Sequence, residues 1–112
     1  MEAPKIVSID VFKGLDIRVG RILDVEPVKR TEKLLKIRVD LGGGTTRQII
    51  SSIAEYYTPE ELIGKKIIVL TNLKTAKFSG ELSEGMLLAA ETATKLALLT
   101  VDRDVEEGTR VT

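Results

Sequence analysis

The stretch Leu34-Leu35-Lys36-Ile37-Arg38-Val39-Asp40-Leu41-Gly42-Gly43-Gly44 alternates with a period of two and then stops on glycine. Leu35, Ile37, Val39 and Leu41 share one parity, and Leu34, Lys36, Arg38 and Asp40 share the other. Successive side chains of a strand point to opposite faces, so this pattern predicts a strand with one buried and one largely charged face. The glycine triplet predicts a sharp turn, because glycine reaches positive φ without a Cβ clash. Thr45 to Ile53 is then the returning strand.

Working outward, Asp16 to Val25 reads as a long strand with Ile17, Val19, Leu23 and Val25 on one parity. Arg21 and Ile22 break the alternation beside Gly20, which predicts a bend or bulge there. A long, bent first strand is what closing a small barrel requires. Ser8 to Leu15 reads as a short helix, with Ser8 as cap and Val7 and Phe12 at the spacing of a hydrophobic staple. Downstream, Thr58-Pro59-Glu60-Glu61-Leu62-Ile63-Gly64 carries a full set of helix punctuation. Thr58 caps, Pro59 takes the first helical position, Glu61 completes a capping box and Gly64 stops the helix. Lys66 to Leu73 and Gly85 to Glu91 are the next strands, and Leu96 to Val101 and Thr109 to Thr112 are short additions.

The predicted class is all-β. Three strands, a short helix and two strands is the order of the five-stranded OB-fold barrel, with its helix between strands three and four. A short N-terminal helix and a C-terminal β extension flank it, and residues 1–112 form one domain. Other small β-barrels and sandwiches share much of this pattern.

The 112 residues include no Cys and no His, so thiolate or imidazole chemistry and the usual zinc sites are excluded. Glu60 and Glu61 are explained by the helix cap, and the glycine triplet lacks the lysine and helix of a phosphate loop. We expect no catalysis, no metal and no cofactor. No apolar run is long enough to span a bilayer, and the start Met1-Glu2-Ala3-Pro4-Lys5 is not a signal peptide, so a cytoplasmic protein is expected. The formal net charge is zero.

A neutral chain can still present a charged face. Five basic residues and one acidic residue lie between Lys29 and Arg38. Lys33, Lys36 and Arg38 belong to this run, Arg47 joins them from the returning strand, and the segment from Lys74 to Glu84 adds Lys74 and Lys77. The acidic residues Glu55, Glu60, Glu61, Asp102, Asp104, Glu106 and Glu107 are expected to gather elsewhere. OB folds bind along strands two and three and the loops beside them, so these cations are candidates for phosphate contacts. The alternative is an ordinary solvated strand face. Phe78 is either a base-stacking surface or a loop anchor. Ser83 is a candidate hydroxyl donor and Asn72 a candidate loop brace. Met86 is either a soft contact to a base or, as the start of a strand, a core residue.

Two segments carry a family resemblance. They are Phe12-Lys13-Gly14-Leu15-Asp16-Ile17-Arg18-Val19-Gly20-Arg21-Ile22 and the run from Asn72-Leu73-Lys74 through Lys77-Phe78-Ser79-Gly80 to Ser83-Glu84-Gly85-Met86. With Glu32-Lys33-Leu34 and the helix from Thr58 to Gly64, they resemble the structure-specific tRNA-binding family. That family includes the C-terminal domain of methionyl-tRNA synthetase and the endothelial monocyte-activating polypeptide domain. The resemblance implies an OB fold that grips the outer corner of tRNA, mostly without reading sequence, and places RNA-binding roles on Lys33, Asn72, Lys77, Ser83 and Met86. Phe78 stands where the family commonly has methionine, and Arg30-Thr31 departs from the first-loop motif.

The resemblance also implies a homodimer and a possible methionyl-tRNA synthetase catalytic chain as partner. Leu96 to Val101 is apolar on both parities, and a small barrel has little interior left for it, which also points to a two-fold interface. The alternative is that this strand packs under the N-terminal helix of its own chain. A neighbouring branch of the fold is a peptide-binding, secretion-related chaperone, and Asp102-Arg103-Asp104-Val105 is similar to its tail. Peptide binding, or service purely as a dimerisation module of a synthetase, are the competing functions.

Overall fold

The computed structural model describes residues 3–112; Met1 and Glu2, the start of the expected domain and leader reading, lie outside the described residues. The sheet is antiparallel and five-stranded, built from β1 (Ile17–Pro27), β2 (Leu35–Asp40), β3 (Thr46–Ser51), β4 (Lys66–Leu70) and β7 (Met86–Leu87), in the order β3-β2-β1-β4-β7. Between β4 and β7 stands a hairpin of β5 (Ala76–Phe78) and β6 (Glu81–Ser83). After β7 comes a second hairpin, β8 (Ala89–Glu91) with β9 (Leu96–Leu98). The helices are α1 (Ile9–Lys13) and α2 (Pro59–Leu62), the latter between β3 and β4 as expected.

β1 holds the barrel together. Its first half, Ile17 to Arg21, pairs with β4, and its second half, Arg21 to Pro27, pairs with β2. The β2 register slips between Ile22 and Asp24, a bulge just past the point where the alternation fails. The remaining seam, between β3 and the β5–β6 hairpin, is stitched by single bonds. Glu84 donates its backbone N–H to Gln48 O at 2.8 Å. The Ser83 hydroxyl accepts from Ile50 N at 3.0 Å and donates to Gly85 O at 3.1 Å. The barrel is therefore nearly closed.

The broken alternation in β1 has a packing cause. Ile17 and Val19 join Ile68 in a small second core on the outer side of the β1–β4 pair, covered by Leu70, Leu88, Val101 and Val111. Ile22 belongs to the barrel interior with Ile37, Val39, Ile49, Leu62 and Val69. The strand changes which core it serves, and the backbone passes at Gly20, where a Cβ would stand 2.5 Å from Val39 Cγ1. The single parity expected for Ile17, Val19, Leu23 and Val25 is thus corrected: Ile22 is fully buried and Leu23 is exposed. Ile67, Ile68 and Val69 of β4 are all buried because they lie between the two cores.

The second core also bears on the tail: Leu96 and Leu98 pack, partly buried, on the barrel core and Val101 on the second one, while Leu99 stays exposed. A strap after Val101 is locked by charge. Arg21 Nε lies 2.7 Å from Glu107 Oε1, and Lys66 Nζ lies 2.5 Å from Asp104 Oδ1 and donates also to Val105 O. Gly42 and Gly108 meet backbone to backbone, where a Cβ on either would come within 2.5 Å of a carbonyl oxygen.

α2 forms with the whole capping box: Thr58 Oγ1 accepts from Glu61 N and the Glu61 carboxylate accepts from Thr58 N. Leu62 is its only buried side chain and plugs the barrel. α1 differs: Ser8 makes no side-chain cap and no α1 residue is buried. Three further expectations change. Gly85 to Glu91 is two strands that serve two sheets, Thr109 to Thr112 is a single bridge at Arg110 to Arg18, and residues 76–83 are a hairpin rather than a loop.

Candidate nucleic-acid interface

The outward face of β2 carries Lys36 and Arg38, each facing a carboxylate on β1. Glu26 is the register partner of Lys36 and Asp24 of Arg38. Lys36 Nζ lies 2.9 Å from Glu26 Oε1 and 3.2 Å from Glu81 Oε2 of the β5–β6 hairpin. Arg38 Nε lies 3.7 Å from Asp24 Oδ2. Hydrogen bonds to Glu26 and then to Glu81 raise the Lys36 pKa above the ordinary lysine value, and the Lys36 bond lowers that of Glu26. Asp24, Glu26, Lys36 and Arg38, with Arg47, Gln48 and Glu84, line a groove of about 530 Å³. The face is therefore charge-balanced, and the expectation that acidic residues gather elsewhere is corrected for Asp24, Glu26, Glu81 and Glu84. Opposite-charge cross-strand pairs favour this register, but their partners depend on a bulge that no local pattern fixes.

The unpaired cations stand in the β1–β2 connection and on, or just before, the β5–β6 hairpin. Among the described residues no salt bridge joins Lys29, Arg30, Lys74 or Lys77 to a carboxylate. Lys29 and Arg30 lie in the β1–β2 connection, a tight turn closed by Thr31 N donating to Val28 O at 3.2 Å and pinned by buried Val28. Lys33 follows; its carbonyl accepts from Ala54 N, and its ammonium is 3.9 Å from Glu55 and largely exposed.

The β5–β6 hairpin turns through Ser79 and Gly80, at φ 49° and 84°, a two-residue left-handed turn of the kind that suits twisted strands. Its register puts Phe78 opposite Glu81 and Ala76 opposite Ser83 on one face, and Lys77 opposite Leu82 on the other. Phe78 is 44% exposed at the tip, on the face that holds Lys36 through Glu81. Lys77 points the other way, and Lys74 is exposed at the base.

Four candidates sit elsewhere than the sequence implies. Arg47 lies opposite Val39, on the core parity of β3, and donates across the barrel mouth to Thr71 O at 2.6 Å and Glu84 O at 3.2 Å. Asn72 accepts from Asp16 N at 2.9 Å and donates to Gly14 O at 2.7 Å, so its amide braces the start of β1 rather than the hairpin. Ser83 is buried and both its hydrogen-bonding roles go to the seam. Met86 is 54% exposed and is not a core residue. Phe78, Ser83 and Met86 do not form one surface: the first is at the hairpin tip, the second in the seam, the third beyond the base. Among the described residues no group of three or more Asp, Glu, His or Cys could hold a metal, and no helix is long and apolar enough to cross a membrane.

Residues 17–110 match the family model described as "Putative tRNA binding domain". The methionine–tRNA ligase of Archaeoglobus fulgidus is 55% identical over 111 residues, which is 99% of this chain and 17% of that enzyme. The chain thus spans about a sixth of that relative's length. A crystal structure of a MetRS-related protein from Pyrococcus horikoshii superposes with a TM-score of 0.90 at 43% identity, covering 97% of this chain and all of that one. The CsaA chaperone protein from Picrophilus torridus superposes with a TM-score of 0.88 at 30% identity, over 96% of this chain and all of that one.

Proposed function

The chain belongs to the tRNA-binding domain family, and from that membership we propose that it binds tRNA by its shape, without catalysis, and serves a methionyl-tRNA synthetase catalytic chain in the cytoplasm. The observation that supports this reading is the cleft lined by Lys29, Arg30 and Lys36, with Lys29 and Arg30 free of salt bridges, beside the β2–β3 groove that also holds Lys36 and Arg38. Cations clustered at one end of a groove suit the backbone of a folded RNA; exposed Lys33, Lys74 and Lys77 add charge around them, while Lys36 and Arg38 reach a phosphate by exchanging their carboxylates. Phe78 supplies an aromatic face beside them for an unstacked base. Asn72, Arg47 and Ser83 act indirectly, by fixing the hairpin and strand ends that carry these groups. Titrating bulk tRNA against a single-stranded RNA of equal length tests it. Clear preference for tRNA is expected; equal binding of both would reject shape recognition.

The same reading includes a homodimer, for which α1 and the residues beside it offer an apolar contact besides the tail. Ile6, Val7, Ile9 and Val11 are all more than half exposed, and Phe12 and Leu15 are more than a third exposed. Ile9, Phe12 and Leu15 lie together on one side, and so many exposed apolar side chains in one short segment mark a contact surface. A second copy, which brings the same patch, buries it on both sides. Sedimentation of the parent should give a dimer and Val11→Glu a monomer.

Peptide binding is the second reading. It is favoured by the likeness to the CsaA chaperone structure and by the exposure of Phe78, Leu82 and Met86. Competition decides: an unfolded peptide that displaces tRNA at equal concentration would favour it.

A further inference from the structure

The β1–β2 loop and the tip of the β5–β6 hairpin face each other across a cleft of about 560 Å³, walled by Glu26, Lys29, Arg30, Lys36, Ser79 and Glu81. Of its cations only Lys36 is paired, and it is paired twice, to Glu26 at 2.9 Å and Glu81 at 3.2 Å. The two carboxylates differ in origin. Glu26 faces Lys36 through the β1–β2 register, so the barrel itself imposes that pair. Glu81 comes from the hairpin, and its salt bridge is to Lys36 alone among the described residues. One ammonium charge thus holds two carboxylates, while Lys29 and Arg30 on the opposite wall hold none.

Arg30 is the second observation. Its φ is 65°, a left-handed conformation that suits glycine and is uncommon for long side chains. Ser79, also at positive φ, is explained by the hairpin turn it forms with Gly80. The turn at Arg30 requires the conformation but not the guanidinium, since glycine would meet the requirement with less strain.

We propose that this cleft is a site for one phosphodiester of the RNA, formed by Lys29, Arg30 and Lys36, and that Glu81 is a built-in competitor which the phosphate displaces from Lys36. The proposal rests on the tRNA-binding reading and deepens it. The Lys36–Glu81 pair is half-buried at the wall of an open cleft, and an incoming phosphate replaces this one carboxylate on Lys36 with another anion, so the lysine keeps a partner throughout. Glu26 stays on Lys36 through the exchange, so the lysine stays aimed. Lys29 and Arg30, without carboxylates of their own, are available from the start. RNA that brings no phosphate into the cleft leaves Glu81 in place and meets its negative charge, which favours a backbone of the right curvature over a random strand.

The test is a double-mutant cycle in tRNA affinity at fixed low salt. Glu81→Gln should tighten binding about three- to tenfold, as expected for removing one competing charge. In a Lys36→Gln background the same change should gain less than about twofold, because the two residues act on each other. Glu60→Gln, an equal charge change on α2, should leave affinity within about twofold, as a distant exposed site does. Arg30→Gly should weaken binding and reduce the salt slope by about one, with a melting temperature equal to or above the parent's. Equal gains from Glu81→Gln with and without Lys36, in a parent that binds tRNA, would overturn the cleft alone. So would an Arg30→Gly variant that binds like the parent. A parent that fails to bind tRNA would overturn the cleft and the tRNA reading together.

Discussion

The strap and the β2 face use the same salt-bridge chemistry to opposite ends. In the strap, Arg21 and Lys66 meet Glu107 and Asp104, and beside them the tail covers the second core. Lys66 is only 12% exposed at its side chain. On the face, Lys36 and Arg38 also meet carboxylates, but they border an open groove, and Lys36 shares a cleft with unpaired Lys29 and Arg30. Charge set beside apolar cover holds structure; charge set beside an open groove and spare cations is available to a ligand. Counting charges along the chain cannot separate the two, and net charge hides both.

Charge reversal breaks this contrast most strongly. Lys33→Glu with Lys77→Glu should reduce tRNA affinity by at least about a hundredfold while the melting temperature stays near the parent's, since exposed pairs add little to stability. Lys66→Glu should do the reverse: tRNA affinity within about twofold, but a clearly lower melting temperature as Asp104, Glu107 and the Val105 carbonyl lose their partner. Binding and thermal curves on the same samples check both. If Lys66→Glu abolished binding without destabilising the chain, the strap would belong to the interface.

Phe78→Ala is the next largest effect. It should weaken tRNA binding about fivefold and leave the salt slope unchanged, because stacking is lost and no charge is. A sharp fall in melting temperature with parent-like binding would make Phe78 a loop anchor.

Acid titration sharpens the strap side. The hydrogen bond from Arg21 holds the Glu107 pKa below its usual 4.5, and that from Thr71 holds Asp16 below its usual 3.8. A depressed folded pKa means stability that is present above the unfolded value and lost as pH falls through the folded one. Glu107→Gln should therefore flatten the stability curve between roughly pH 5 and 3 relative to the parent. An identical acid dependence in both would remove Glu107 from the strap's electrostatics.

Much of the barrel is readable in the chain because its signals are local. Leu35, Ile37 and Val39 alternate and are buried, and Thr58 and Glu61 complete their capping box. β1 is less readable because two cores take opposite parities from one strand, so Ile22 reads as an error in the pattern when it is fully buried. The β5–β6 hairpin escapes because its strands, Ala76–Phe78 and Glu81–Ser83, are too short to show a period, although Ser79-Gly80 carries a turn signal. On the candidate site, the cations are legible as residue types, but their partners are not. Glu26 opposite Lys36 and Asp24 opposite Arg38 depend on the register beyond the bulge, and Arg47 takes the core parity of β3 through its pairing with Val39. Ser83 and Asn72 stand out in the sequence, and the structure gives both of them bonds within the fold.

The most direct measurement is the affinity of the parent chain for bulk tRNA across a salt series. The cleft phosphate and those met by Lys33, Arg38, Lys74 and Lys77 amount to roughly three to five, so log K should fall with log salt at a slope near −3 to −4. A flat response, with tRNA bound equally at low and high salt, would contradict the assignment of these loops as the phosphate-binding surface.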